Sequence, residues 1–434
     1  MTLLPGAALV LLPLPLFWVA LRDGHARRCP APLMTLGGIY LFLLLGAPSV
    51  IANPLLYSDA YLYTLLLVIL GCYVLYALVL ALGPALEVDY SELVVERSIR
   101  PALVLFLPLW AYSAAILALY VSRHGLPPFF ALFTSHGGYV NFYAVRAEKT
   151  TSIPEGTHWY ILGLQTVPYF IFTYSYALKR LLRTRAARAL FWINAGLTVA
   201  FATSFANKDV VLNLALFVLL VRLCLGGEGM RLRTVMLIGL GGIGSVFLFL
   251  RIYLLDRSSW SVLQLFGGYL AERLLLSYTE AHAYIVRIFP REHPFLDGTG
   301  LANPGGLLPF TPIELNRYLG YRVMGHLANY ATPAVSNGYA NFGWTGILLI
   351  MGIIIAQVVL LQAIFRRLPK SPFFASLFVL RAARTIRYGT TTIDNVMAEE
   401  VILFLAGMVV LHLALRDVGR SLAPPVSAPA PEPR

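Results

Sequence analysis

Residues 337–346 read "NGYANFGWTG" and run directly into "ILLIMGIIIAQVVLLQ", residues 347–362. The second stretch belongs to a span near 342–364, which is long and apolar enough to cross a bilayer. The first is rich in Asn, Gly and aromatics and stands at its entrance. Glycines there let the chain turn sharply. Tyr339, Phe342 and Trp344 suit the headgroup level of a membrane. Asn337 and Asn341 add two amides at the same place.

The rest of the chain agrees with a membrane setting. Of its 434 residues, 58% are hydrophobic and 12% charged, with a mean hydropathy of +0.73. A soluble domain carries about 25% charged residues, so this chain has too few to cover a water-facing surface. The expected fold class is an all-α polytopic membrane protein with about 11 transmembrane helices. The spans fall near 3–21, 34–52, 60–82, 102–121, 159–178, 189–206, 210–226, 234–253, 342–364, 372–388 and 399–415. The first lacks a basic leader and a small-residue cleavage site, so it is expected to be retained. The organisation is then N-terminal helices to 121, an outer loop 122–158, central helices 159–253, a large outer loop 254–341, C-terminal helices 342–415 and a disordered Pro/Ala-rich tail 416–434.

The net charge of +12 does not point to nucleic acid, because the basic residues gather in short loops on alternate sides. Arg22, Arg27 and Arg28 fall on one side with Arg97 and Arg100, the run Lys179 to Arg188, Arg231 and Arg233, Arg366 to Lys370, and Arg416 and Arg420. The short connections near 53–59 and 207–209 carry only Lys208. The positive-inside rule puts the basic side and the C-terminus in the cytoplasm and the N-terminus outside. Cys29, Cys72 and Cys224 have no spacing suited to metal or disulfides. The run "GLGGIG" (Gly239, Gly241, Gly244) satisfies G-x-G-x-x-G inside an apolar span, where close helix packing explains it better than a nucleotide.

Chemistry is expected in the two outer loops, which are too long for simple connections. In "VLQLFGGYLAERLLLSYTEAHAYIVRIF", Arg273, Ser277, Glu280, Tyr284 and Arg287 are spaced by four, three, four and three. That spacing places them on one helical face. The stripe either faces water or forms a cleft wall presenting cations to an anion. Glu280 lies two turns, about 10 Å, from each arginine, so it cannot pair with both. Arg291, Arg322 and His326 follow in the same loop. Two His residues there, His293 and His326, lack metal-ligand spacing, so no metal is expected. "LFVLRAARTIRYG" places Arg381 and Arg384 in an apolar segment, either as interfacial residues or as a fork for phosphate oxygens at headgroup depth. Arg146 in the first outer loop is a further candidate for substrate.

The Asn-Phe-Gly-x-x-Gly entrance (Asn341, Phe342, Gly343, Gly346), together with about eleven spans and a large late outer loop, resembles the Wzy-type oligosaccharide repeat-unit polymerases. These stand in a wider group with the O-antigen ligases. The resemblance implies a bacterial inner-membrane glycosyltransferase of polysaccharide biosynthesis acting at the periplasmic face. Its substrate would be an undecaprenyl-diphosphate-linked oligosaccharide, it would need no cofactor, and a chain-length regulator would be a further partner. Lys208 stands where the family commonly places a basic residue at an outer turn, and Arg287 with Gly298 matches an Arg-x₁₀-Gly spacing. His326 is the nearest counterpart of the outer-loop histidine of the ligases. The implied roles are Arg287, His326 and Glu280 in catalysis, with Arg273, Arg291, Arg322, Arg381, Arg384, Lys208, Arg146, Asn337, Tyr339 and Asn341 on substrate. The rivals are an O-antigen ligase, another lipid-phosphate-sugar glycosyltransferase, and a transporter.

Overall fold

A computed structural model describes residues 3–21, 28–90, 99–127, 130, 157–204, 210–225, 240–241, 244, 247, 259–272, 276–301, 309–325, 330, 332–390, 406–410 and 412. Among these residues the regular structure is helical, without a strand. The helices are α1 (Leu3–Leu11), α2 (Leu14–Leu21), α3 (Pro30–Ile39), α4 (Ala47–Ile51), α5 (Asp59–Leu82), α6 (Arg100–His124), α7 (Thr157–Ile161), α8 (Val167–Leu182), α9 (Arg185–Ala202), α10 (Val210–Leu225), α11 (Ser259–Ala271), α12 (Ser277–Ile288), α13 (Leu315–Met324), α14 (Ala334–Arg367) and α15 (Pro372–Arg384). Five helical stretches are long and apolar enough to cross a membrane: Leu4–Leu21, Pro30–Ile51, Asp59–Ala85, Arg100–His124 and Ala334–Arg367. This is a helical membrane protein by length and composition.

Local chemistry sets where the helices begin and turn. Ser58, Thr184 and Ser371 each precede a helix, and each side-chain oxygen accepts a backbone N–H from three residues on. That satisfies a donor that the first turn leaves open. Between α8 and α9, Arg183 takes a left-handed conformation, so the chain reverses within "RT" and the two helices pack as a hairpin.

Burial then sorts the helices by depth. Nearly every residue of α8 from Val167 to Leu178 is buried, as is α15 from Pro372 to Ala383. A helix covered on all sides belongs to the middle of a bundle. α9, α10 and α6 pack around α8. Small residues mediate the closest approach elsewhere. A Cβ on Gly38 of α3 would sit 1.9 Å from the Ile386 carbonyl oxygen, and one on Gly389 would meet the Gly38 carbonyl at 2.4 Å. Close packing is expected at Gly239, Gly241 and Gly244; Gly239 lies outside the described residues, and a Cβ on Gly241 or Gly244 meets nothing within 4 Å among them. The backbone contact is made at residues 38 and 386–389, where no glycine repeat marks it.

The bundle has two faces, at opposite ends of α5. At one end the connection 53–58 lies beside the loop after α12, because Arg287 donates to the Leu55 carbonyl at 2.8 Å. At the other, Arg28 pairs with Glu87 at 2.8 Å, Arg366 donates to the Ala85 carbonyl, and the Lys370 ammonium lies over the Tyr90 ring. With about 1.5 Å of rise per residue, α5 holds these faces roughly 35 Å apart.

Candidate functional site

The opening decapeptide is a joint. α14 breaks inside it: Phe342 has φ −136° and ψ 16°, and Gly343 has φ 61° and ψ −138°. Only glycine adopts that second conformation without strain. The expected boundary at 341–342 therefore falls on the break, but residues 334–341 are already helical. The short segment folds back on the long one. A Cβ on Gly346 would sit 1.9 Å from the Gly338 carbonyl oxygen, so these two glycines let the backbones touch.

A break leaves carbonyls without helical partners. The loop after α12 supplies them: Leu296 N–H bonds the Ala340 carbonyl at 3.0 Å and Asp297 N–H the Asn341 carbonyl at 3.1 Å. Asn341 Oδ1 accepts Gly300 N–H at 2.9 Å and its Nδ2 donates to Asn337 Oδ1 at 2.8 Å. Asn337 Nδ2 donates to the Gly300 carbonyl at 3.2 Å. Both asparagines are buried. The resemblance implied that they act on substrate; here they clamp a loop to the break. Tyr339 is also buried, ringed by Phe295 and Trp344 at 5.8 and 5.7 Å, so it packs inside the joint rather than facing substrate. Trp344 in turn meets Tyr63 at the start of α5.

The clamped loop and α12 carry the polar stripe expected from spacing. Glu280 and Arg287 stand two turns apart on α12. The Glu280 carboxyl is half-buried and hydrogen-bonded to the Tyr330 hydroxyl. Burial raises its pKa, the Tyr330 bond lowers it and Glu272 raises it again, for a net upward shift. At the other end of the stripe, Arg287 Nε lies 3.7 Å from Glu292 and Arg322 donates to the same carboxylate at 2.8 Å. The guanidinium group expected to be free at Arg287 is therefore met by Glu292, a carboxylate outside the stripe, which Arg322 shares. Arg291, exposed, has no ion-pair partner among the described residues and lies close enough to Tyr339 to act on it electrostatically. Arg287 and Arg322 thus bring two guanidinium charges to one carboxylate, with Arg291 next to Glu292 in the chain.

Arg381 and Arg384 lie elsewhere. Arg381 is only 6% exposed and donates to Gln357 Oε1 at 3.3 Å and to the Tyr388 hydroxyl at 3.1 Å. Gln357 is about 20 Å along α14 from Trp344, which puts Arg381 in the middle of the bundle. Arg384 bonds the Thr166 hydroxyl at 3.2 Å. The expectation of a fork at headgroup depth is corrected: α15 is held deep among α8, α10 and α14, and these guanidinium groups tie it to its neighbours.

His282 is a further residue of this region, and the sequence pattern gives no sign of it. It stands on the face of α12 opposite Glu280 and is fully buried. The Thr64 hydroxyl donates to the Tyr61 carbonyl at 2.6 Å, so it accepts from His282 Nε2 at 2.7 Å. Nδ1 then accepts the Ser336 hydroxyl at 2.9 Å. One imidazole thereby ties α12 to α5 and α14. Burial pushes its pKa down to about 3, so it is neutral. A single His within "YTEAHAYIV" gives no signal of this in one sequence.

Arg146, Lys208, Arg273 and His326 lie outside the described residues. Among the described residues, no group of three or more His, Cys, Asp or Glu side chains is placed to hold a metal ion. No family model, curated protein or solved structure matches the chain.

Proposed function

We propose that this protein joins undecaprenyl-diphosphate-linked oligosaccharide repeat units at the periplasmic face of a bacterial inner membrane. The chain would cross eleven times, with the N-terminus in the periplasm and the C-terminus in the cytoplasm, as the arginine distribution directs. The face bearing Arg287 and Glu292 then opens outward.

One observation carries the reading. A half-buried carboxyl with a raised pKa sits two helical turns from Arg287, which shares Glu292 with Arg322 beside Arg291, and the loop that follows is fixed to the membrane bundle by the joint at 337–346. Such a pairing suits glycosyl transfer from a diphosphate. The acceptor sugar's hydroxyl oxygen attacks the anomeric carbon of the growing chain. The bond from that carbon to the diphosphate oxygen breaks, and the diphosphate leaves with the electron pair. The acceptor's proton passes to a base, Glu280 or His326. Arg287, Arg291 and Arg322 stabilise charge on the leaving group, an effect worth about 10²–10³ in rate when one preorganised donor is lost. Glu292 holds two of these guanidinium groups in place before substrate arrives, which spares reorganisation during the step.

The test is to incubate purified protein with a lipid-linked repeat unit and run the products on a gel. A ladder of repeats supports the polymerase. A single capped species, formed only when a lipid A core acceptor is added, transfers the reading to a ligase. Arg287→Ala that yields wild-type ladders removes the arginine from the mechanism.

A further inference from the structure

The face opposite the candidate site carries a second group of cations. α8 ends in Lys179 and Arg180, with Arg183 at the turn, and α10 contributes Arg222 near its own end. With Tyr176 they line a cavity of about 350 Å³. Its position on that face follows from Cys224, one turn-fraction beyond Arg222, which lies close enough to Tyr90 to act on it electrostatically; Tyr90 belongs to the segment that pairs with Arg28 and Lys370.

Positive-inside topology and the negative C-terminal end of a helix each account for basic residues here. Neither accounts for four of them converging on one cavity with no carboxylate among the described residues. Among the described residues no Asp or Glu lines it, and none of the four pairs with one. Arg188 and Arg222 both press like charge on Lys179. The arrangement is held by aromatic groups instead. The Lys179 ammonium lies 4.2 Å from the Phe191 ring centre and 4.7 Å from that of Trp192, a cation–π geometry. Arg222 Nε donates to the Tyr176 hydroxyl at 2.8 Å, which fixes the guanidinium and leaves its two terminal nitrogens directed elsewhere. Trp192 and Ile193 are exposed on α9 beside it, in the manner of side chains that meet lipid near the membrane surface.

We propose that this cavity is a binding site for a phosphate-bearing anion, supplied either by an anionic lipid headgroup or by free phosphate. A phosphate group brings the missing negative charge and accepts from both a guanidinium fork and an ammonium. Basic pockets between membrane helices suit lipid headgroups by the same chemistry. The site is separate from the proposed transfer chemistry and does not depend on it.

The test uses the full-length protein in detergent. Melting temperature is followed on adding cardiolipin, phosphatidylcholine, sodium phosphate, or sodium chloride at matched ionic strength. Stabilisation by cardiolipin and not by phosphatidylcholine or phosphate assigns a lipid headgroup. Stabilisation by phosphate above chloride assigns a soluble anion. Arg180→Gln combined with Arg222→Gln should weaken the effective ligand roughly thirtyfold, from about 1 kcal/mol per cation, with repeat-unit transfer unchanged. Arg222→Lys should retain part of the affinity. Equal effects of all four additives on the wild type, or full affinity in the double variant, overturn the proposal. If the double variant does not fold, the comparison of additives on the wild type decides alone.

Discussion

Two groups of arginines stand at opposite ends of one bundle, and they differ in how their charge is met. On the site face, Arg287 and Arg322 share Glu292, and the loop that holds Glu292 is pinned by Asn337 and Asn341. On the other face, Lys179, Arg180, Arg183 and Arg222 converge with aromatic support and, among the described residues, no carboxylate. A cation held by a protein carboxylate is positioned in advance and can stabilise charge as it develops. A cation cluster without one has its neutralising group still to come, so it suits steady occupancy by an anion. The first arrangement fits turnover and the second fits retention.

The largest effect that can break this contrast is on transfer. Arg287→Ala should reduce ladder formation by about 10²–10³ while phosphate or cardiolipin still stabilises the protein. Loss of both responses in a folded variant would show that the two faces are not independent.

Next in size are changes to the joint. A methyl at Gly346 has the Gly338 carbonyl oxygen in its way, and that oxygen is backbone. Gly346→Ala should cost on the order of 3 kcal/mol, at the upper end of overpacking effects. Gly352→Ala, on the same helix, meets nothing within 4 Å and should be neutral or stabilising by up to about 1 kcal/mol. Melting temperatures of the two variants in detergent make the comparison. Equal melting temperatures would show that residues 338 and 346 do not touch.

How much of this was legible in the sequence follows from the physics of each signal. Long apolar runs announce membrane helices because the bilayer demands them, and the five crossing-length helices fall where such runs stand. Helical spacing placed Glu280 and Arg287 on one face of α12. The break at Gly343 was legible as a glycine-rich turn. Partners were not. Glu292 lies off the stripe and reaches Arg287 and Arg322 only because the chain reverses after α12. The asparagines read as ligands because nothing local shows that residues 296–300 return to consume their amides. Arg381 read as a headgroup residue because an arginine near the end of an apolar run has no visible depth until its neighbours are known.

His282 gives a smaller effect with a defined sign. Its imidazole titrates at about 3 in the folded protein against 6.5 ordinarily. The unfolded chain therefore takes up the proton first, and the stability tied to the neutral ring is present above pH 6.5 and lost as pH falls towards 3. His282→Leu should remove that part of the acid dependence. It should also cost on the order of 3 kcal/mol at neutral pH, because the Ser336 hydroxyl loses its acceptor in a buried place. Denaturation in detergent at pH 7.5 and pH 5 measures both. An unchanged acid dependence would show that the site-face scaffold does not rest on this ring.

The smallest effect bears most directly on the chemistry assigned to the site face. Glu280 can take a proton only when ionised, so transfer should rise with pH through its raised pKa. The Tyr330 hydroxyl bonds the carboxyl and lowers that pKa. Tyr330→Phe removes the bond and leaves burial and Glu272 to push upward, so the acid limb of the rate profile should move to higher pH. Tyr284→Phe keeps the ring that faces Tyr330 and removes no bond to Glu280, so its limb should stay in place. A limb that moves down in the Tyr330 variant, or moves equally in both, would take the base role from Glu280 and leave His326 to carry it.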